Sequence, residues 1–205
     1  LAFQFLILSA VISSAQANAP VCQAQDRNCV ITQLIEETQK IENPNWRDQS
    51  YREIAKSLAG DGFFDAALEI WVKIENPDTK ALTIRGIGMA AADHNLEKSR
   101  YDGLFAELRA KSETIEHPPS YAIALTYVAM AQACAKDDEG AWATAASMEN
   151  DALRHKAYGE TAEIQAEMGN VDAALKSYGF IESKAYRNKS YAMVSMILAD
   201  QELFD

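Results

Sequence analysis

The chain has 205 residues, 48% hydrophobic and 24% charged, with a formal net charge of −11 at pH 7. That acidity argues against nucleic acid and anionic membrane surfaces as partners, since both are recognised through basic patches. The apolar content suffices for a good core, and nothing in the composition points to disorder.

Residues 1–17 read as a secretory signal peptide. The run Leu1-Ala2-Phe3-Gln4-Phe5-Leu6-Ile7-Leu8 leads into small residues, and Ala15-Gln16-Ala17 matches the small-x-small cleavage pattern. The run is too short for a membrane span, which needs about 20 residues. The competing reading is a buried N-terminal helix. Cleavage after Ala17 leaves Asn18 first, whereas use of Ala17-Asn18-Ala19 would leave Pro20 first. Cys22 follows Ala19-Pro20-Val21, not a Leu-small-small lipoprotein pattern, so no membrane anchor is expected after cleavage. No Met and no basic residue precede the run, and the chain is read as lacking its first residues. The expected location is secreted or periplasmic, an oxidising setting in which cysteines pair. Cys22 and Cys29 are expected to form a disulfide, worth about 2.5 kcal/mol by loop entropy; the alternative is two free thiols. Cys134 is assigned to a small, buried helix-packing column with Ala59, Ala92, Ala166 and Ala199.

A segment at 18–46 follows, with an amphipathic helix expected over 23–40 from Val30, Ile31, Leu34 and Ile35. It is read as a capping unit. From there a punctuation mark recurs. Ile41-Glu42-Asn43-Pro44 returns as Ile74-Glu75-Asn76-Pro77, then as Ile115-Glu116-His117-Pro118, Met148-Glu149-Asn150-Asp151 and Ile181-Glu182-Ser183-Lys184. The first step is 33 residues, the second 41, and the last two are 33 again. A period in this range is the mark of stacked helical hairpins. Each unit is expected to hold a helix, a tight turn, a second helix and the joint. Expected helices are 48–60 and 65–74, 79–93 and 96–113, 121–136 and 140–148, a pair over 152–182, and 185–200. Gly62, Asn95, Asp137 and Gly169 are assigned to the left-handed turn residue, and Asp65 and Asp172 to the N-caps that follow. The restart of the pattern at Leu198 leaves the fifth unit, and hence the repeat region 47–205, truncated.

Gly62-Phe63-Phe64-Asp65-Ala66-Ala67-Leu68-Glu69, with Pro77 behind it, resembles the turn of the tetratricopeptide-like helical repeats. Repeats one and four match the turn well. The period here is 33 rather than 34, and the distance from Ala67 to Pro77 is shorter than the family pattern. The resemblance implies an all-α solenoid of stacked antiparallel helix-turn-helix units that acts as a binding scaffold.

No catalytic constellation stands beside it. His94, His117 and His155 have no His or Cys partner at zinc-ligand spacing, Asp137-Asp138-Glu139 lacks calcium-loop spacing, and no phosphate loop or nucleophile elbow occurs. No cofactor is expected, and the chain is not read as an enzyme.

One pattern is left. Arg47, Lys80, Arg154 and Arg187 recur at helix starts, with Tyr51, Ile84, Tyr158 and Tyr191 four residues on, on the same face. They could line a groove for a carboxylate or an extended peptide. Alternatively, each Arg bonds the Glu or the carbonyls of the preceding joint, and each Tyr packs between repeats. The function expected is an exported helical-repeat scaffold with a protein or peptide partner. Its rivals are the superhelical accessory domain of a cell-wall or polysaccharide enzyme whose catalytic part lies beyond Asp205, and a helical protein that holds a solute or lipid.

Overall fold

The computed structural model describes residues 22–201 apart from residue 24, and the signal-peptide reading of 1–17 falls outside them. The described chain is all-helical, with ten helices and no strand. α1 spans Arg27–Gln39. Four hairpins follow: α2 (Pro44–Gly60) with α3 (Phe64–Val72), α4 (Pro77–Asp93) with α5 (Lys98–Glu113), α6 (Pro118–Cys134) with α7 (Asp138–Ala146), and α8 (Asp151–Glu167) with α9 (Val171–Gly179). α10 spans Lys184–Asp200. None of these helices is long and apolar enough to cross a membrane. A Cys22–Cys29 disulfide, Cα to Cα 5.6 Å, ties down the entry to α1, and Asp26 caps that helix by accepting from the Cys29 N–H.

The first helix of every hairpin begins at the last residue of a joint. Asn43, Asn76 and Asn150 each accept a hydrogen bond from the N–H three residues on, those of Trp46, Thr79 and Leu153. Pro44, Pro77 and Pro118 open their helices, where a fixed φ helps and a missing N–H costs nothing. Starts expected near Asp48, Thr79 and Tyr121 are therefore two to four residues late. At α6 the cap is His117, whose Nδ1 lies 2.6 Å from the Ser120 hydroxyl, and that hydroxyl donates to Asp78 of the preceding unit.

The turns correct the sequence reading by one residue. The left-handed positions are Gly62 (φ 83°), Asn95 (46°), Lys136 (64°) and Gly169 (74°). Lys136, not Asp137, takes the third. Asp137 is free to cap α7 and accepts from the Gly140 N–H at 3.0 Å. Asp65 and Asp172 do not cap. They sit in the first turns of α3 and α9, near the positive end of the helix. Asn170 caps α9, and Phe63 stands at the start of α3 with no side-chain bond. The same slip moves the alanine column to Ala133. Ala59, Ala133 and Ala166 are buried and Ala92 is half-buried, whereas Ala199 is exposed. Cys134 lies next to the column and is half-buried, with burial raising its thiol pKa.

The hairpins pack by neighbours. α2, α4, α6, α8 and α10 touch in sequence, and α3, α5, α7 and α9 each pack on the helix before them. The joint residues Ile74, Ile115, Met148 and Ile181 are all buried. α4 and α6 come close at Gly88, where a Cβ would lie 2.9 Å from that of Ala131. α5 has 16 residues against nine in the other second helices, and with one more residue in the turn before it this makes the 41-residue step. Its extra turns reach both neighbours: Arg100 pairs with Asp65 of α3 at 2.7 Å, and the Tyr101 hydroxyl donates to Asp137 at 3.0 Å. Tyr101 also stacks on Phe105, ring centroids 4.3 Å apart.

Ala59 is fully buried. Ala59→Leu is expected to overpack its contact and cost about 1–3 kcal/mol in a denaturant melt. Ala106→Leu, on the exposed side of α5, should stay within about 0.5 kcal/mol of the parent. Equal melts for the two variants would contradict this packing.

Candidate functional site

The predicted ladder lies at the joints. Arg154 donates through Nη1 to the Met148 carbonyl at 2.8 Å and through Nη2 to Asp151 at 2.5 Å. Arg187 does the same work one unit later: Nε donates to the Ile181 carbonyl at 2.7 Å and Nη2 to that of Glu182 at 3.1 Å. Arg47 pairs with Glu75 of the next joint at 3.3 Å. The Lys80 ammonium stands 5.0 Å from the Trp71 ring centroid, and the Trp71 indole N–H donates to the Lys80 carbonyl at 3.0 Å. Tyr51 and Tyr158 are buried, 4% and 7% exposed. Burial pushes both phenols above their ordinary pKa, with Arg47 and Arg154 pulling them the other way. Tyr191 is exposed, its ring 5.5 Å from that of Tyr178. The guanidinium donors of Arg154 and Arg187 are thus engaged by their own joints, and Tyr51 and Tyr158 face inward.

A second set of repeated residues escaped the sequence reading. Thr144 donates to Gln132 Oε1 at 2.7 Å, and 33 residues later Ser177 donates to Gln165 Oε1 at 2.5 Å. The Trp142 indole N–H reaches the Ser177 hydroxyl at 2.6 Å. Gln165 Nε2 donates to Asp138 at 2.6 Å, and Asn170 reaches the other oxygen of that carboxylate at 2.9 Å. The Trp142–Ser177 bond fastens unit three to unit four inside the core, and the Asp138 carboxylate does so nearer the surface. The equivalent pair in unit one is Leu58 and Ile70, both buried and apolar. Asp48, 1% exposed, makes a related link, accepting from the backbone N–H of Glu75 and of Asn76 in the next joint. The signal was available as glutamines at 132 and 165 with hydroxyl residues at 144 and 177.

The side of the first helices that the second helices leave uncovered carries other chemistry. Arg52, Lys56, Leu82, Arg85, Gly86 and Met89 line a shallow cleft of ≈ 290 Å³ between α2 and α4. Arg52 and Lys56 both bond Glu53. Among the described residues Arg85 pairs with no carboxylate; its guanidinium lies 5.4 Å from the Tyr127 ring centroid. In register on α6 stand Ile123, Tyr127 and Met130, and on α8 Lys156, Glu160 and Glu163. Burial raises the Glu163 pKa first, Glu160 and Glu167 add to it, and Lys189 opposes them. A separate cleft of ≈ 360 Å³ at the joint edge of α6 and α8 is lined by Pro118, Tyr121, Leu125, Met148 and Leu153. No group of three or more His, Cys, Asp or Glu among the described residues is placed to hold a metal ion.

Comparison of the chain with family models, curated proteins and solved structures finds no match.

Two outcomes follow from these geometries. Arg154→Ala with Arg187→Ala strips donors from joint carbonyls, so each is expected to cost about 1–3 kcal/mol, read as a lowered melting temperature. An unchanged melt would remove the joint role. Glu163 holds its proton more tightly folded than unfolded, so stability falls as pH rises past the ordinary carboxylate range into its raised one. Glu163→Gln should therefore raise the melting temperature at pH 7 and lose that advantage below about pH 4. A gain that persists in acid would contradict the assignment.

Proposed function

We propose that the chain is an exported helical-repeat scaffold, an α-solenoid of tetratricopeptide-like hairpins, that binds a protein or peptide partner and carries out no catalysis itself. The observation that carries this reading is the outer face of α2, α4 and α6. There Leu82 is exposed, Met89, Ile123 and Tyr127 are half-covered, and the Arg85 charge has no carboxylate partner among the described residues. Such a strip of apolar side chains beside undercompensated charge is what a polypeptide partner covers. The joints support the same reading. Arg154, Arg187, Tyr51 and Tyr158 are taken up in holding units together, whereas the outer face keeps Leu82 and the Arg85 charge open to a partner. The Cys22–Cys29 bridge supports a secreted or periplasmic setting.

The test is capture followed by reconstitution. Immobilised chain is offered to extract from the compartment that holds it, and any recovered polypeptide is purified and mixed back. A stoichiometric complex that Leu82→Asp or Met89→Asp weakens, with the fold intact by circular dichroism, is the expected result. Recovery of no polypeptide, or a complex that ignores both substitutions, would overturn the proposal.

A further inference from the structure

Resting on the binding reading above, we propose that the outer face accepts one amphipathic stretch of a partner polypeptide whose charges run acidic, apolar, basic across α2 to α8. The face is graded. At the α2–α4 end Arg52, Lys56 and Arg85 stand against Glu53, with Asp93 at the turn edge. Over α6 the half-buried side chains are Ile123 and Tyr127, Met130 in the same register being buried, with no charge before the turn. On α8 Glu160 and Glu163 stand against Lys156 and against Lys189 of α10, with Glu167 at the turn edge. Cations thus outnumber anions at one end, carboxylates outnumber cations at the other, and the middle is apolar.

Two details make the grading consequential. Arg85 rests on an aromatic ring rather than on a carboxylate, so an incoming acid need not displace an internal partner. Glu163 is half-buried beside Glu160 and Glu167, with Lys189 of α10 set against them, so a further cation placed over it adds to that relief of the repulsion already present. Length is set by the helices: three steps of about 8–10 Å separate α2 from α8. A helical stretch of about 20 residues spans that distance.

A second copy of this chain could also match the gradient when turned end for end. Net charge favours the short segment. Each copy carries −11, and two copies would bring that repulsion to the contact.

The experiment uses the full chain and two synthetic 20-residue helix-forming peptides of one composition. In the first, Glu fills one third, Leu and Met the centre, and Lys the last third. In the second the same residues are scrambled. The patterned peptide is expected to bind at least about tenfold tighter by fluorescence anisotropy, an advantage that shrinks as salt rises. Arg52→Glu with Arg85→Glu should abolish the advantage, and a peptide with its Glu block changed to Lys should recover binding to that variant. Recovery also shows that the variant is folded. Equal affinity for the two peptides overturns the inference, as does an advantage indifferent to the charge reversal. A dimer in sedimentation that the same reversal dissolves overturns it too, since a second copy then holds the face. If a captured natural partner binds the outer face while the patterned peptide does not, the scaffold reading stands and this inference falls.

Discussion

Each joint must satisfy two helix ends within four residues. The outgoing helix leaves carbonyls without partners and the incoming one leaves N–H groups. Here one short sequence does both. Its first residue, Ile or Met, buries itself from the second joint onward. Asn accepts from the incoming N–H groups at three of the five joints, and Pro removes an N–H that would otherwise need a partner at three. The carbonyl side is met by Arg154 and Arg187 in the later units. The burial of the joints from the second onward follows from keeping this arrangement intact.

The units are not interchangeable inside. Unit one closes its hairpin with Leu58 and Ile70, while units three and four use Gln132 with Thr144 and Gln165 with Ser177. An apolar pair tolerates sliding, whereas a buried amide that must meet a hydroxyl at one distance does not. The Trp142–Ser177–Gln165–Asp138 run therefore fixes which unit follows which. Removing one member would leave a buried polar group unpaired, which costs more than the bond itself contributes.

The helices, their number over 47–200 and the joints were legible because hydrophobic period, proline and asparagine act locally. The errors came where a choice between adjacent residues depends on a neighbouring unit. Asp137 looks like the turn residue as much as Lys136 does, until Gly140 and Tyr101 claim its carboxylate. Cys134 looked like an alanine substitute because the 41-residue step was aligned one residue out. The Arg and Tyr columns were legible as columns, but their direction was not. Whether a guanidinium turns to solvent or back to a carbonyl depends on the joint's shape, which no spacing encodes. The outer face was missed for a related reason. It is built from Arg85 and Tyr127, on different helices, and joins only once α4 and α6 lie side by side.

The two extra turns of α5 give the protein a mechanical character that an even row of hairpins would lack. In a row joined only by neighbours, bending is shared equally along its length. Here unit two is braced to the one before through Arg100 and Asp65, and to the one after through Tyr101 and Asp137. The exposed ion pair is weak alone, but the half-buried phenol bond, backed by the Phe105 stack, is not. The centre is held from both sides, so α5 cannot tilt without breaking a side-chain bond to unit one or to unit three. A ligand laid across the middle therefore meets units whose spacing is already set by side-chain bonds of their own.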